Sequence, residues 1–147
     1  MTADEVRKTL EGVYTMAQRI QQLHGELQAV GNDAHTLQSF DYSKPVVRPS
    51  RGRGDVETAV IRLADRESRI TQELDRLTEY REIALGLVMS IPDSPGRQII
   101  LMRYFNQVPW SDISKTIAYE RRYCYKLRDI AIQEIVDTCN KDTSAIL

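Results

Sequence analysis

Two apolar series at heptad spacing constrain this chain more than any other feature. Val6, Leu10, Val13, Ala17, Ile20, His24 and Leu27 recur in alternating steps of four and three, with Met16, Leu23 and Val30 widening the stripe. Val56, Val60, Leu63, Glu67, Ile70, Leu74, Leu77, Arg81, Ala84 and Val88 repeat the pattern further along, with Glu67 and Arg81 as polar interruptions. Such spacing keeps one face of an α-helix apolar, and two such helices bury their stripes most simply against each other. The expectation is a coiled-coil pair, either a hairpin within one chain or a dimer between chains. Thr2 followed by Glu5 reads as a capping box for the first helix, and Gly31-Asn32 reads as its end. The predicted spans are 1–32 and 55–91.

Between them, residues 33–54 hold Pro45, Pro49, Gly52 and Gly54, which argue against a helix, and this stretch reads as a linker. Its Lys44, Arg48, Arg51 and Arg53 suit an arm lying on nucleic-acid phosphates or in a minor groove, or equally a solvated linker. After the second helix, Ser94 at an N-cap and Pro95 at the first helical position start a third, which runs to about Phe105. A fourth helix starts near Trp110, with Ile113 and Ile117 on its apolar side. A fifth starts near Glu120 and runs to about Cys139, leaving 141–147 as a tail. No strand pattern emerges, so the expected fold class is all-α.

The fourth and fifth helices carry the functional reading. An apolar side of Cys124, Leu127 and Ala131 would fix the angle between them, and Arg121, Arg122, Tyr125 and Lys126 are expected opposite it. A tight corner followed by a basic, aromatic helix is what a helix-turn-helix reader of DNA requires. Lys115 and Arg128 extend the basic set, and Arg97 and Arg103 are candidate phosphate clamps. Trp110 reads as a core anchor rather than a stacking platform. Net charge is −1, yet residues 94–128 hold seven cations against Asp112 and Glu120, a net of +5 that leaves −6 elsewhere. A cationic module on an acidic body fits nucleic-acid binding at one end.

Leu101-Met102-Arg103-Tyr104-Phe105, Trp110-Ser111-Asp112-Ile113 and Tyr119-Glu120-Arg121-Arg122-Tyr123-Cys124-Tyr125-Lys126-Leu127 resemble region 4 of sigma-70 factors. More closely, the chain resembles the ArpU/RinA-type late transcriptional regulators of phages and prophages of Gram-positive bacteria. About a quarter of the chain carries the likeness. Glu120 stands where the family has serine, and Cys124 where it has valine. The resemblance implies a helix-turn-helix domain over 92–140 that binds double-stranded DNA and a helical front half that dimerises or contacts host RNA polymerase. It also implies activation of late genes in the cytoplasm of a bacterial host. A small terminase subunit, which recognises phage DNA for packaging, is the alternative.

Other classes find less support. Cys124 and Cys139 on one helix would stand roughly 22 Å apart and cannot form a disulfide with each other. His24 and His35 lie in no metal-ligand pattern, and no nucleophile–base set or phosphate loop is present. Neither enzymatic chemistry nor a cofactor is expected. Met1-Thr2-Ala3-Asp4-Glu5 has no apolar run behind basic residues, so neither a signal peptide nor a membrane partner is expected.

Overall fold

The computed structural model describes the backbone of residues 1–38 and 53–146 and the side chains of 1–37 and 55–143. The described residues are helical, with no strand among them. The elements are α1 (Ala3–Gln38), α2 (Arg53–Met89), α3 (Pro95–Ile100), a π turn (Leu101–Phe105), α4 (Trp110–Ile117) and α5 (Arg121–Ile146). No described helix is long and apolar enough to cross a membrane. The chain divides into two compact units, one of Met1–Gln18 with Thr78–Leu147 and one of Arg19–Leu77.

Local chemistry accounts for two helix starts. Glu5 N–H donates to the Thr2 hydroxyl at 3.3 Å, and Thr2 N–H donates to the Glu5 carboxylate at 3.2 Å, the reciprocal capping box the sequence suggests. At α3, Arg97 N–H donates to the Ser94 hydroxyl at 3.2 Å, with Pro95 at the first position. Two ends lie beyond their expected places. α1 passes through Gly31-Asn32 to Gln38, because Gly31 keeps a helical φ and Val30, Ala34 and Leu37 continue the four-and-three spacing. α5 continues through the expected tail to Ile146, since no glycine or proline follows Pro109 to stop it. At the other side of the linker, α2 begins at Arg53.

In the 19–77 unit the two apolar stripes meet within one chain. Leu23, Val30, Ile70 and Leu74 are buried together, with Ile20, Leu27, Leu63 and Leu77 alongside. Beside this seam Arg19 makes a two-pronged contact with Glu73, Nε to Oε1 at 2.9 Å and a terminal nitrogen to Oε2 at 3.0 Å. The hydrogen bonds from Arg19 hold the Glu73 carboxyl below the usual carboxylate range, and Glu73 in turn raises the Arg19 guanidinium. Val60 belongs to the predicted stripe but stands 49% exposed, and Glu67 is exposed.

The other unit has a core assembled from sequence-distant pieces. Val6, Leu10 and Val13 of α1, Ala84 and Val88 of α2, Ile100, Tyr104 and Phe105, and Ala131, Ile132, Ile135 and Val136 of α5 form one buried cluster. Arg81, a break in the heptad pattern, lies with its guanidinium 5.4 Å from the Phe105 ring centroid, so the cation covers an aromatic face. The predicted third helix is not α-helical throughout. Its last residues form a π turn, in which Asn106 N–H donates to the Leu101 carbonyl five residues back. A turn closed at that spacing returns residues five apart to the same side. Tyr104 and Phe105 therefore bury alongside Ile99 and Ile100. α3 crosses α5 at Gly96, where an added Cβ would stand 2.5 Å from the Leu127 carbonyl oxygen and 2.9 Å from Ala131 Cβ.

Candidate nucleic-acid interface

Pro109 starts α4 from an extended conformation, and its carbonyl accepts from the amides of Asp112 and Ile113, both at 3.0 Å. The helix ends at Ala118, whose φ of 63° and ψ of 35° place it in the left-handed region. For alanine that conformation costs about 1–2 kcal/mol. Hydrogen bonds back onto Ser114 hold it. Ala118 N–H donates to the Ser114 carbonyl, Tyr119 N–H donates to the same oxygen at 3.2 Å, and the Ser114 hydroxyl donates to the Tyr119 carbonyl. The left-handed residue reverses the chain, and three residues separate the end of α4 from the start of α5.

A small core fixes the angle between the two helices. Ile99, Ile113 and Cys124 are fully buried, with Met102, Val108, Trp110, Ile117 and Leu127 packed around them. Cys124 thus fills a place that takes a small apolar group. Trp110 anchors the start of α4. Its ring meets the Tyr125 ring edge-on, with centroids 4.7 Å apart and planes at 83°. The guanidinium carbons of Arg103 and Arg128 each lie 5.4 Å from the Trp110 centroid.

This core divides the expected contact residues into two groups. Lys115, Arg121, Arg122 and Lys126 are exposed. Among the described residues none of the four has an ion-pair or side-chain hydrogen-bond partner. Arg122 and Lys126 stand one turn apart on the outer side of α5. Tyr125, expected beside them, is half-buried against Trp110, because position 125 is only a third of a turn from buried Cys124. Arg128 also turns inward: its side chain is 23% exposed, and its Nε donates to Asp129 at 3.1 Å. Arg97 donates to the Ile91 carbonyl at 2.8 Å and ties down the chain entering α3. Arg103 lies over the Tyr14 ring at 4.6 Å and donates to the Val108 carbonyl at 3.4 Å. Arg48 and Arg51, like the rest of 39–52, lie outside the described residues, as does the side chain of Arg53.

Two exposed tyrosines join the outward group. Tyr119 in the corner and Tyr123 in the first turn of α5 are 43% and 45% exposed, with ring centroids 5.0 Å apart and planes at 70°. Ile130, 49% exposed, follows Lys126 by one turn. The sequence signal for the tyrosines is their spacing of four, which places one above the other across the corner. That spacing is also what a buried aromatic stripe would show. Glu120 is exposed between them and sets a carboxylate at the start of α5.

Compared with models of protein families, with curated proteins and with solved structures, the chain matches none.

Proposed function

We propose that the protein is a DNA-binding regulator of transcription in which α4 and α5 form a helix-turn-helix, with α5 as the helix that enters the major groove. The observation that carries the reading is the set of four exposed cations, Lys115, Arg121, Arg122 and Lys126, around one corner, unpartnered among the described residues. Cations without carboxylate partners reach phosphates at no cost in broken ion pairs, and arginine and lysine also match the acceptors of guanine. Tyr119 and Tyr123 add hydroxyls for phosphate and ring surface for thymine methyl groups. Arg103, Arg128 and Tyr125 are read as residues that brace the corner. The likeness to sigma-70 region 4 and to ArpU/RinA-type regulators supports the same assignment and adds RNA polymerase as a partner. The paired stripes of α1 and α2 serve as a coiled-coil element in this reading.

Retardation of duplex DNA in gels at low salt tests it. The intact protein is expected to retain DNA with an affinity that falls steeply as salt rises. Arg122→Ala/Lys126→Ala is expected to weaken retention by about tenfold or more, with helicity unchanged, since each such contact contributes about 1–3 kcal/mol. Full retention by the double variant would remove α5 from the reading helix.

A further inference from the structure

We propose that the cleft between α1, the π turn and the start of α4 is a binding site for a small organic oxyanion carrying a flat ring, such as a nucleoside monophosphate or an aromatic carboxylate. The cleft has a volume of about 380 Å³ and is lined by Glu11, Tyr14, Thr15, Arg103, Trp110 and Arg128. That size lies within the range of small-ligand sites. None of these residues is among the outward cations, so the site is separate from the DNA-reading surface and does not rest on that assignment.

Chemistry of the walls selects the ligand. The Arg103 guanidinium carbon lies over the Tyr14 ring, 4.6 Å from its centroid, and 5.4 Å from the Trp110 centroid. A guanidinium carries five N–H donors, and an aromatic ring is no acceptor for most of them. Of those donors, one reaches the Val108 carbonyl at a long 3.4 Å, and among the described residues no carboxylate pairs with Arg103. Arg128 spends its Nε on Asp129, while its guanidinium carbon stays 5.4 Å from Trp110. Two half-buried guanidinium groups thus flank one indole, and Arg103 has no carboxylate partner among the described residues. An oxyanion satisfies fork-shaped donors of this kind with paired, charge-assisted hydrogen bonds. Tyr14 and Trp110 supply aromatic surface for a ring attached to that anion. Glu11 also lines the cleft and Asp129 pairs with Arg128, so these four groups sum to zero charge and the site suits an anion of low charge.

Arg103 also lies within the π turn, the one departure from α-helical geometry inside a described helix. Such turns add a residue to a helix and redirect a side chain, frequently at functional sites. Here Tyr104 and Phe105 are buried, and Arg103 and Tyr104 both line the cleft.

Trp110 is the sole tryptophan of the chain, so its emission reports on the cleft directly. The experiment titrates the full-length protein with adenosine 5′-monophosphate, with benzoate and with inorganic phosphate at constant ionic strength. A saturable change with either organic anion is expected, and inorganic phosphate should need roughly tenfold more, for want of the ring. A response to only one of the two organic anions upholds the site and identifies its oxyanion as phosphate or carboxylate. Arg103→Lys keeps the charge but loses the fork, and is expected to weaken binding by about tenfold. If that variant does not fold, Glu11→Gln, at an exposed position, is expected to tighten binding a few-fold by removing a repelling carboxylate. Absence of any saturable response overturns the proposal. So does equal affinity for inorganic phosphate, an unaltered response in Arg103→Lys, or unaltered affinity in Glu11→Gln.

Discussion

At Gly96 the two crossing helices leave no space for even one further carbon, since a Cβ would stand 2.5 Å from the Leu127 carbonyl oxygen. Backbone cannot yield as the end of a flexible side chain does, so Gly96→Ala must push α3 away from α5. The expected loss is about 2–3 kcal/mol, the scale of overpacking in a dense core. Chemical denaturation measures it, and a midpoint equal to that of the unchanged protein would mean the crossing is looser than described. Nothing in the sequence around Gly96 announces this role. Ser94 and Pro95 are legible because a cap acts on amides two or three residues away. The partner of Gly96 lies some thirty residues downstream. The same distinction separates Thr2 and Glu5, a purely local pair, from Arg103, whose orientation depends on Tyr14 in another helix.

Element boundaries follow from competition between local signals and continuing stripes. Gly31 gives a valid stop signal, but Ala34 and Leu37 keep the four-and-three rhythm, and the helix runs on. Where α1 and α2 pair, Arg19 and Glu73 add a charged clasp at the margin of the seam. The folded state lowers the Glu73 carboxyl below its ordinary value, so the clasp contributes stability above the usual glutamate range, near pH 4.3 in an unfolded chain. That contribution fades as pH falls through the lower folded value. The melting temperature of the unchanged protein is therefore expected to exceed that of Glu73→Gln at neutral pH, with a gap that narrows in acid and in high salt. A gap that stays constant from neutral to acid conditions would show that the clasp adds nothing. The pairing of these stripes was legible as a possibility. The burial of Leu23 and Val30 with Ile70 and Leu74 in one chain was not, because a heptad pattern serves a hairpin and a dimer equally.

At the scale of the molecule, one core joins residues from both sides of the division at 92 expected from sequence. α5 presents Ala131, Ile132, Ile135 and Val136 to a cluster that includes Val6, Leu10, Val13, Ala84 and Val88. A fragment of residues 92–147 keeps the small core of Ile99, Ile113 and Cys124 but exposes the inner side of α5. It is expected to melt over a broad range and to bind a hydrophobic dye, whereas the full chain melts cooperatively. A sharp, dye-free transition in the fragment would show that the N-terminal residues are dispensable to the core. The outer cations of α5 were legible because charge and helical spacing suffice to place them. The inward turn of Tyr125 and Arg128 was not, since it depends on where the π turn and α1 set Arg103 and Tyr14 around Trp110.

The joining of α1 to α5 also imposes an order on synthesis. Val6, Leu10 and Val13 leave the ribosome more than a hundred residues before Ile132, Ile135 and Val136. Until then this part of α1 carries an uncovered apolar stripe, open to chaperones and to neighbouring nascent chains. Closing so long a loop also makes this helical protein slower to fold than its local contacts alone would set.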